Sequence, residues 1–100
     1  MGKSLLAIIR RKEEFLITKS QKDWGFPAIK DSRSLPVQAK LVKIGKPLVQ
    51  MENDIEFEVQ QFLYEYQSGK PAGNFRWVSR DELEKLAPNA STDLWILENY

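Results

Sequence analysis

Two apolar runs, Ser4–Ile9 and Phe15–Thr18, are separated only by the charged stretch Arg10–Glu14. Short runs of this kind, rich in β-branched and aromatic residues, read as strands, and so little polar chain between them predicts a hairpin. The second run leads into Trp24-Gly25-Phe26-Pro27. Pro27 pushes Phe26 away from helical dihedrals, so Trp24–Lys30 reads as a short extended segment. Asp31–Pro36 mixes Ser, Arg and Pro and reads as a loop. Val37–Gly45 has room for two helical turns at most, and its Val and Ile content favours a strand. Gly45 and Pro47 break the strand-like stretch Val37–Gln50, as expected at a bulge or an edge.

The second half continues the pattern. Asn53-Asp54 supplies turn chemistry. Ile55, Phe57 and Val59 then alternate with Glu56, Glu58 and Gln60, before the apolar phase shifts to Phe62, Tyr64 and Tyr66. A one-residue shift flips the buried face, so a bulge is expected near Gln60-Gln61. Ser68–Asn74 is a loop with two glycines and a proline, and Phe75–Val78 is a last strand. Ser79 and Glu82 fit a capping box at the start of a short helix, with Leu83 and Leu86 on its inner side. Ser91 or Thr92 is expected to cap a final helix carrying Leu94, Trp95 and Leu97.

This order resembles a Nudix domain. The hairpin, the aromatic-Gly-Phe-Pro segment and the Phe75–Leu86 strand-helix unit carry the resemblance. It implies an α+β fold, a Nudix-like mixed β-sheet with one or two short C-terminal helices, in a single truncated domain over residues 1–100. In the family, a glycine-started loop and an acidic helix follow the aromatic segment and hold catalytic magnesium through Arg-Glu and Glu-Glu pairs. Here no glutamate occurs between Glu14 and Glu52, and Asp31 is the only carboxylate between Gly25 and Met51. Magnesium binds hard oxygen ligands, so one carboxylate is a poor anchor. The resemblance therefore implies the fold with the Nudix-box helix missing, no cofactor, and magnesium only if residual hydrolase activity exists.

Composition narrows the chemistry further. Of 100 residues, 42% are hydrophobic and 29% charged, as in soluble globular domains. There is no cysteine and no histidine, which excludes disulfides, thiolate metal sites and the usual general base at neutral pH. No run is long and apolar enough to span a bilayer, and the N-terminus has no signal pattern, so a cytoplasmic protein without a membrane partner is expected. Residues 1–50 hold eleven Lys/Arg and four Asp/Glu, and residues 51–100 hold four and ten. Interleaving of the two halves in one sheet would largely cancel that asymmetry; an anion-facing surface is the other reading.

No catalytic residue is expected. Ligand-binding candidates are Trp24 and Phe26 as stacking surfaces, Lys30 and Arg33 as phosphate-holding charges, and Arg76 and Trp77 on the last strand. Core packing or solvated charge is the competing reading for each. A sheet face that loses its helix should leave apolar surface for a protein partner or a second copy of the chain. The expected function is therefore a non-catalytic binding or protein-interaction module. One alternative is nucleotide or nucleic-acid recognition, because the Trp-x-Phe-Pro element is similar to one in the C-terminal domain of adenine DNA glycosylase. Against this, the stretch corresponding to that domain's Phe-Ser-His segment is the acidic Glu52-Asn53-Asp54-Ile55-Glu56. The other is a weak pyrophosphohydrolase with carboxylates converging from Asp31 and Glu52–Glu58.

Overall fold

Strands β1 (Gly2–Arg11) and β2 (Glu14–Ser20) form the expected hairpin, closed by Lys12-Glu13 with Lys12 at φ 56°. The structure is a computed structural model, and it describes residues 2–20, 23–31 and 34–99. The two strands pair only beside their turn, at Arg10↔Phe15 and Arg11↔Glu14. Beyond it they part, and the aromatic segment enters the gap. β3 (Asp23–Gly25) pairs with β2, and β4 (Ala28–Ile29) pairs with β1. The Ala7 amide donates to the Pro27 carbonyl at 2.9 Å, which fixes the wedge between the strands.

β5 (Gln38–Ile44) and β6 (Leu48–Glu52) both lie antiparallel to β7 (Ile55–Ser68), interrupted by Gly45, Lys46 and Pro47. Asn53 and Asp54, at φ 52° and 62°, make the tight hairpin turn between β6 and β7. β7 runs parallel to β1 in unbroken register from Gly2↔Phe57 to Arg10↔Glu65. β8 (Phe75–Ser79) closes the other side against β2. The sheet is mixed, with path β3-β2-β1-β7-β5.

Two expectations are corrected. β7 has no irregularity against β1 at Gln60-Gln61; it is buried on both faces, so both apolar phases face a core. The register shifts fall in the β5–β7 pairing instead, between Gln38 and Ala39 and between Leu41 and Lys43. The last helix begins earlier than Ser91. α1 (Arg80–Leu86) carries the full Ser79–Glu82 capping box, and α2 (Pro88–Glu98) follows after the single residue Ala87. Proline suits a first helical position because its missing N–H has no partner there anyway. Leu83 is buried, while Leu86 remains 36% exposed.

One face of the sheet is covered by the helices. Ile8, Phe15, Ile17, Phe26, Leu63 and Val78 meet Leu83, Leu94 and Leu97 there. The opposite face holds Ala7, Ile9, Leu16 and Tyr64, with Ile29 and Val37 packed on them. No described residue between Ile29 and Gln38 is helical.

Candidate functional site

The sheet face away from the helices has two parts. At one end, Leu35, Val37 and Ile29 pack with Tyr64 and Ile9. Farther out, the described residues leave the face bare. Leu41 and Ile44 stand opposite Tyr64 and Phe62, and Val49 and Met51 stand opposite Glu58 and Glu56. Residues paired across two strands share a face, so these four form one apolar strip. Ile44, Val49 and Met51 are 55%, 60% and 68% exposed, and the neighbouring Val42 is 50% exposed.

At the β8 side of the same face lies an aromatic cleft. Trp77 and Phe75 project there opposite Leu16 and Thr18. The Tyr66 ring meets Trp77 edge-on, with centroids 5.1 Å apart. Arg11, from the end of β1, sits over Trp77 with its guanidinium carbon 4.1 Å from the ring centroid. Glu14 holds the same guanidinium at 2.8 Å. The Tyr66 hydroxyl donates to the Gly69 carbonyl at 2.8 Å and ties the loop after β7 to the cleft wall.

The sequence candidates are distributed over both faces. Phe26 is 7% exposed in the helix-side core, and half-buried Trp24 packs against that core. Lys30 is exposed beyond β4, and Arg33 lies outside the described residues. Arg76 turns to the helix side and pairs with Glu82 at 3.2 Å. Trp77 belongs to the aromatic cleft, and Arg76 also borders it. Arg11 and Tyr66 escaped the sequence reading. The signal was there in alternation: Arg11 follows Ala7 and Ile9 in phase, and Tyr66 follows Phe62 and Tyr64.

Among the described residues, the carboxylates are too scattered to fit magnesium: no three of His, Cys, Asp or Glu gather closely enough to hold a metal ion. Asp31 is exposed, and Ser34 donates to it at 3.3 Å. Its charge adds to burial in raising the Tyr64 hydroxyl above its ordinary pKa, with burial the larger cause.

One ionisable group on the helix side is out of the ordinary. Asp93 on α2 accepts from the Gln61 side-chain amide at 3.1 Å, while the Gln61 Oε1 is buried without a partner. Burial raises the Asp93 carboxyl above its usual range, and the bond from Gln61 offsets part of that. The native state therefore takes up this proton at higher pH than the unfolded chain does. Its contribution to stability is fully present below the unfolded pKa and is lost as pH rises through the folded one. Asp93→Asn removes the buried charge, keeps the acceptor and adds a donor for Gln61 Oε1. It is expected to raise the thermal midpoint at neutral pH by a few degrees, at about 4–8 °C per kcal/mol for a domain this size, with the gain vanishing in acid. Melting curves at several pH values check this, and a loss of stability at neutral pH would count against it.

A mixed sheet opened by a wedged aromatic segment, with two C-terminal helices on one face, is a Nudix-like α+β fold. Solved structures place the chain there. It is similar to an Ap4A hydrolase from C. elegans, with TM-score 0.70, 15% identity, and coverage of 99% of this chain and 98% of that one. A NUDIX hydrolase from Nitrosomonas europaea gives TM-score 0.69 at 12% identity, over 99% and 87% of the two chains. A MutT protein of the Nudix hydrolase family from methicillin-resistant Staphylococcus aureus 252 gives 0.67 at 16%, over 99% and 96%. At such identities the likeness is one of fold. No protein-family model and no curated protein matches the sequence. Among the described residues no helix is long and apolar enough to cross a membrane.

Proposed function

We propose that this chain is a Nudix-fold binding module that works without the metal-dependent hydrolysis of the enzymes it resembles in fold. The observation that carries the reading is the bare strip of Leu41, Ile44, Val49 and Met51, on a face that Ile29, Leu35 and Val37 cover at one end only, among the described residues. Exposed apolar surface of this kind on a sheet marks an interaction site. Lys40, Lys43, Lys46 and Pro47 line the β5 edge and its continuation. Charged residues and proline oppose edge-to-edge pairing, so the contact made is face to face. A second copy of the chain is the simplest occupant, since a two-fold axis lets one patch meet itself.

Light scattering across a concentration series tests this. The wild-type chain is expected to associate reversibly. Ile44→Glu combined with Met51→Lys is expected to give a monomer whose stability changes by about 0.5 kcal/mol or less, as exposed positions usually do. A wild-type monomer at every concentration, with no binding of an apolar dye, defeats the dimer. Magnesium-dependent release of phosphate from a nucleotide panel would defeat the non-catalytic reading as a whole.

A further inference from the structure

We propose that the aromatic cleft is a second, small-molecule site, built to take a planar aromatic anion: a flat ring carrying a carboxylate or phosphate. The cavity measures about 400 Å³, and its lining includes Arg11, Leu16, Tyr66, Lys70, Phe75, Arg76 and Trp77. That volume lies within the range of ligand pockets, which are mostly apolar with a few placed polar groups. Its shape follows from the strands. Leu16 is fully buried and forms the floor, whereas Tyr66, Phe75 and Trp77 are only half-buried and keep ring surface open.

Charge selects the ligand. Arg11 is stacked on Trp77 and held by Glu14, so its guanidinium is fixed in place rather than free to swing into water. A guanidinium presents five donors in a planar fork, and Glu14 is bonded at one of its nitrogens. The remaining N–H groups and the outer face of the plane are left to bind an anion and a ring. Lys70 stands exposed on the loop across the cavity and brings a second positive charge. The Tyr66–Gly69 hydrogen bond holds that loop against the strands, so the wall is formed before a ligand arrives. A neutral ring would gain the stacking alone, and a bare anion the charge alone; only a molecule with both uses the whole site. None of these residues belongs to the apolar strip, so the site stands whether or not a second copy covers β5 and β6.

Adenosine monophosphate and indole-3-acetate are the probes for the two sources of this chemistry, with adenosine and inorganic phosphate as controls. The readout is the indole N–H signal of Trp77 in a nitrogen–proton NMR spectrum of the full chain. At about 1 mM ligand, where weak specific sites begin to fill, one or both aromatic anions are expected to shift Trp77 and leave Trp24 unmoved. Adenosine and phosphate are expected to shift it much less. Response to the nucleotide alone names a nucleotide as the source, response to indole-3-acetate alone names a carboxylate, and response to both supports the shared class. Lys70→Ala, on an exposed loop that leaves the core intact, is expected to weaken binding several-fold. The proposal is overturned if neither anion moves Trp77, if phosphate or adenosine moves it as strongly, or if Lys70→Ala binds like the wild type.

Discussion

Leu97→Ala is expected to cost about 2–5 kcal/mol of folding stability, the range for emptying a buried leucine site. Leu97 is 0% exposed and lies in the helix-side core with Leu63, Leu83 and Leu94. The reason for placing the effect high is that α2 is held mainly by its apolar face, beside the Gln61–Asp93 hydrogen bond and the Arg80–Glu98 ion pair. Its N-cap, Ala87, offers no side-chain hydrogen bond, and its last turn has no basic residue to meet the helix dipole. Helices of eleven residues are marginal alone in water, so this one exists through packing. A domain of this size loses about 4–8 °C of melting temperature per kcal/mol, so the expected fall is about 8–40 °C. Trp95→Ala supplies the contrast. That side chain sits on the same helix but is 64% exposed, and its loss should cost about 0.5 kcal/mol or less. Equal melting temperatures for the two variants would mean that α2 is not held by this seam.

The parts of the fold legible in the sequence are those decided by local chemistry. Pro27 fixes the extended wedge, Asn53-Asp54 the hairpin turn, and Ser79 with Glu82 the start of α1, each through backbone dihedrals or a hydrogen bond made within a few residues. The parts that escaped are decided by what lies on the far side of a strand. Phe62, Tyr64 and Tyr66 looked like a phase shift because a half-buried strand shows one apolar phase, whereas β7 is buried on both faces and shows two. Gln61 is the residue that completed the illusion: it is polar yet 0% exposed, since Asp93 on α2 supplies its partner. A sequence carries no mark of a partner thirty-two residues away. The cleft was half legible for the same reason. Trp77 and Phe75 share a face by simple alternation, but that Arg11 from a distant hairpin covers Trp77 follows only from the order of the strands.

Gly45 is where these tertiary demands converge on one atom. Its N–H donates to the Gln61 carbonyl at 2.8 Å, and its carbonyl accepts from the Gln60 side chain at 3.1 Å. A Cβ added there would lie 3.0 Å from Leu97 Cδ1, 3.2 Å from the Gln61 carbonyl and 3.3 Å from Gln61 Oε1. Leucine can yield by a rotamer change; the carbonyl belongs to a strand paired on both sides and cannot. Gly→Ala at an open position stabilises by about 0.4–1 kcal/mol through the unfolded chain, so the sign at position 45 is diagnostic. Gly45→Ala is expected to destabilise despite that gain, and Gly45→Val to cost about 1–3 kcal/mol, as overpacking in a filled core does. Chemical denaturation of both variants measures it. Combining Gly45→Ala with Leu97→Ala separates the two contacts. If the leucine methyl carries most of the clash, the double variant will be less destabilised than the sum of the single ones, because residues in contact do not add. If the clash is with the Gln61 carbonyl, the two costs will add in full, and the glycine is required by the backbone of β7 rather than by the packing of α2.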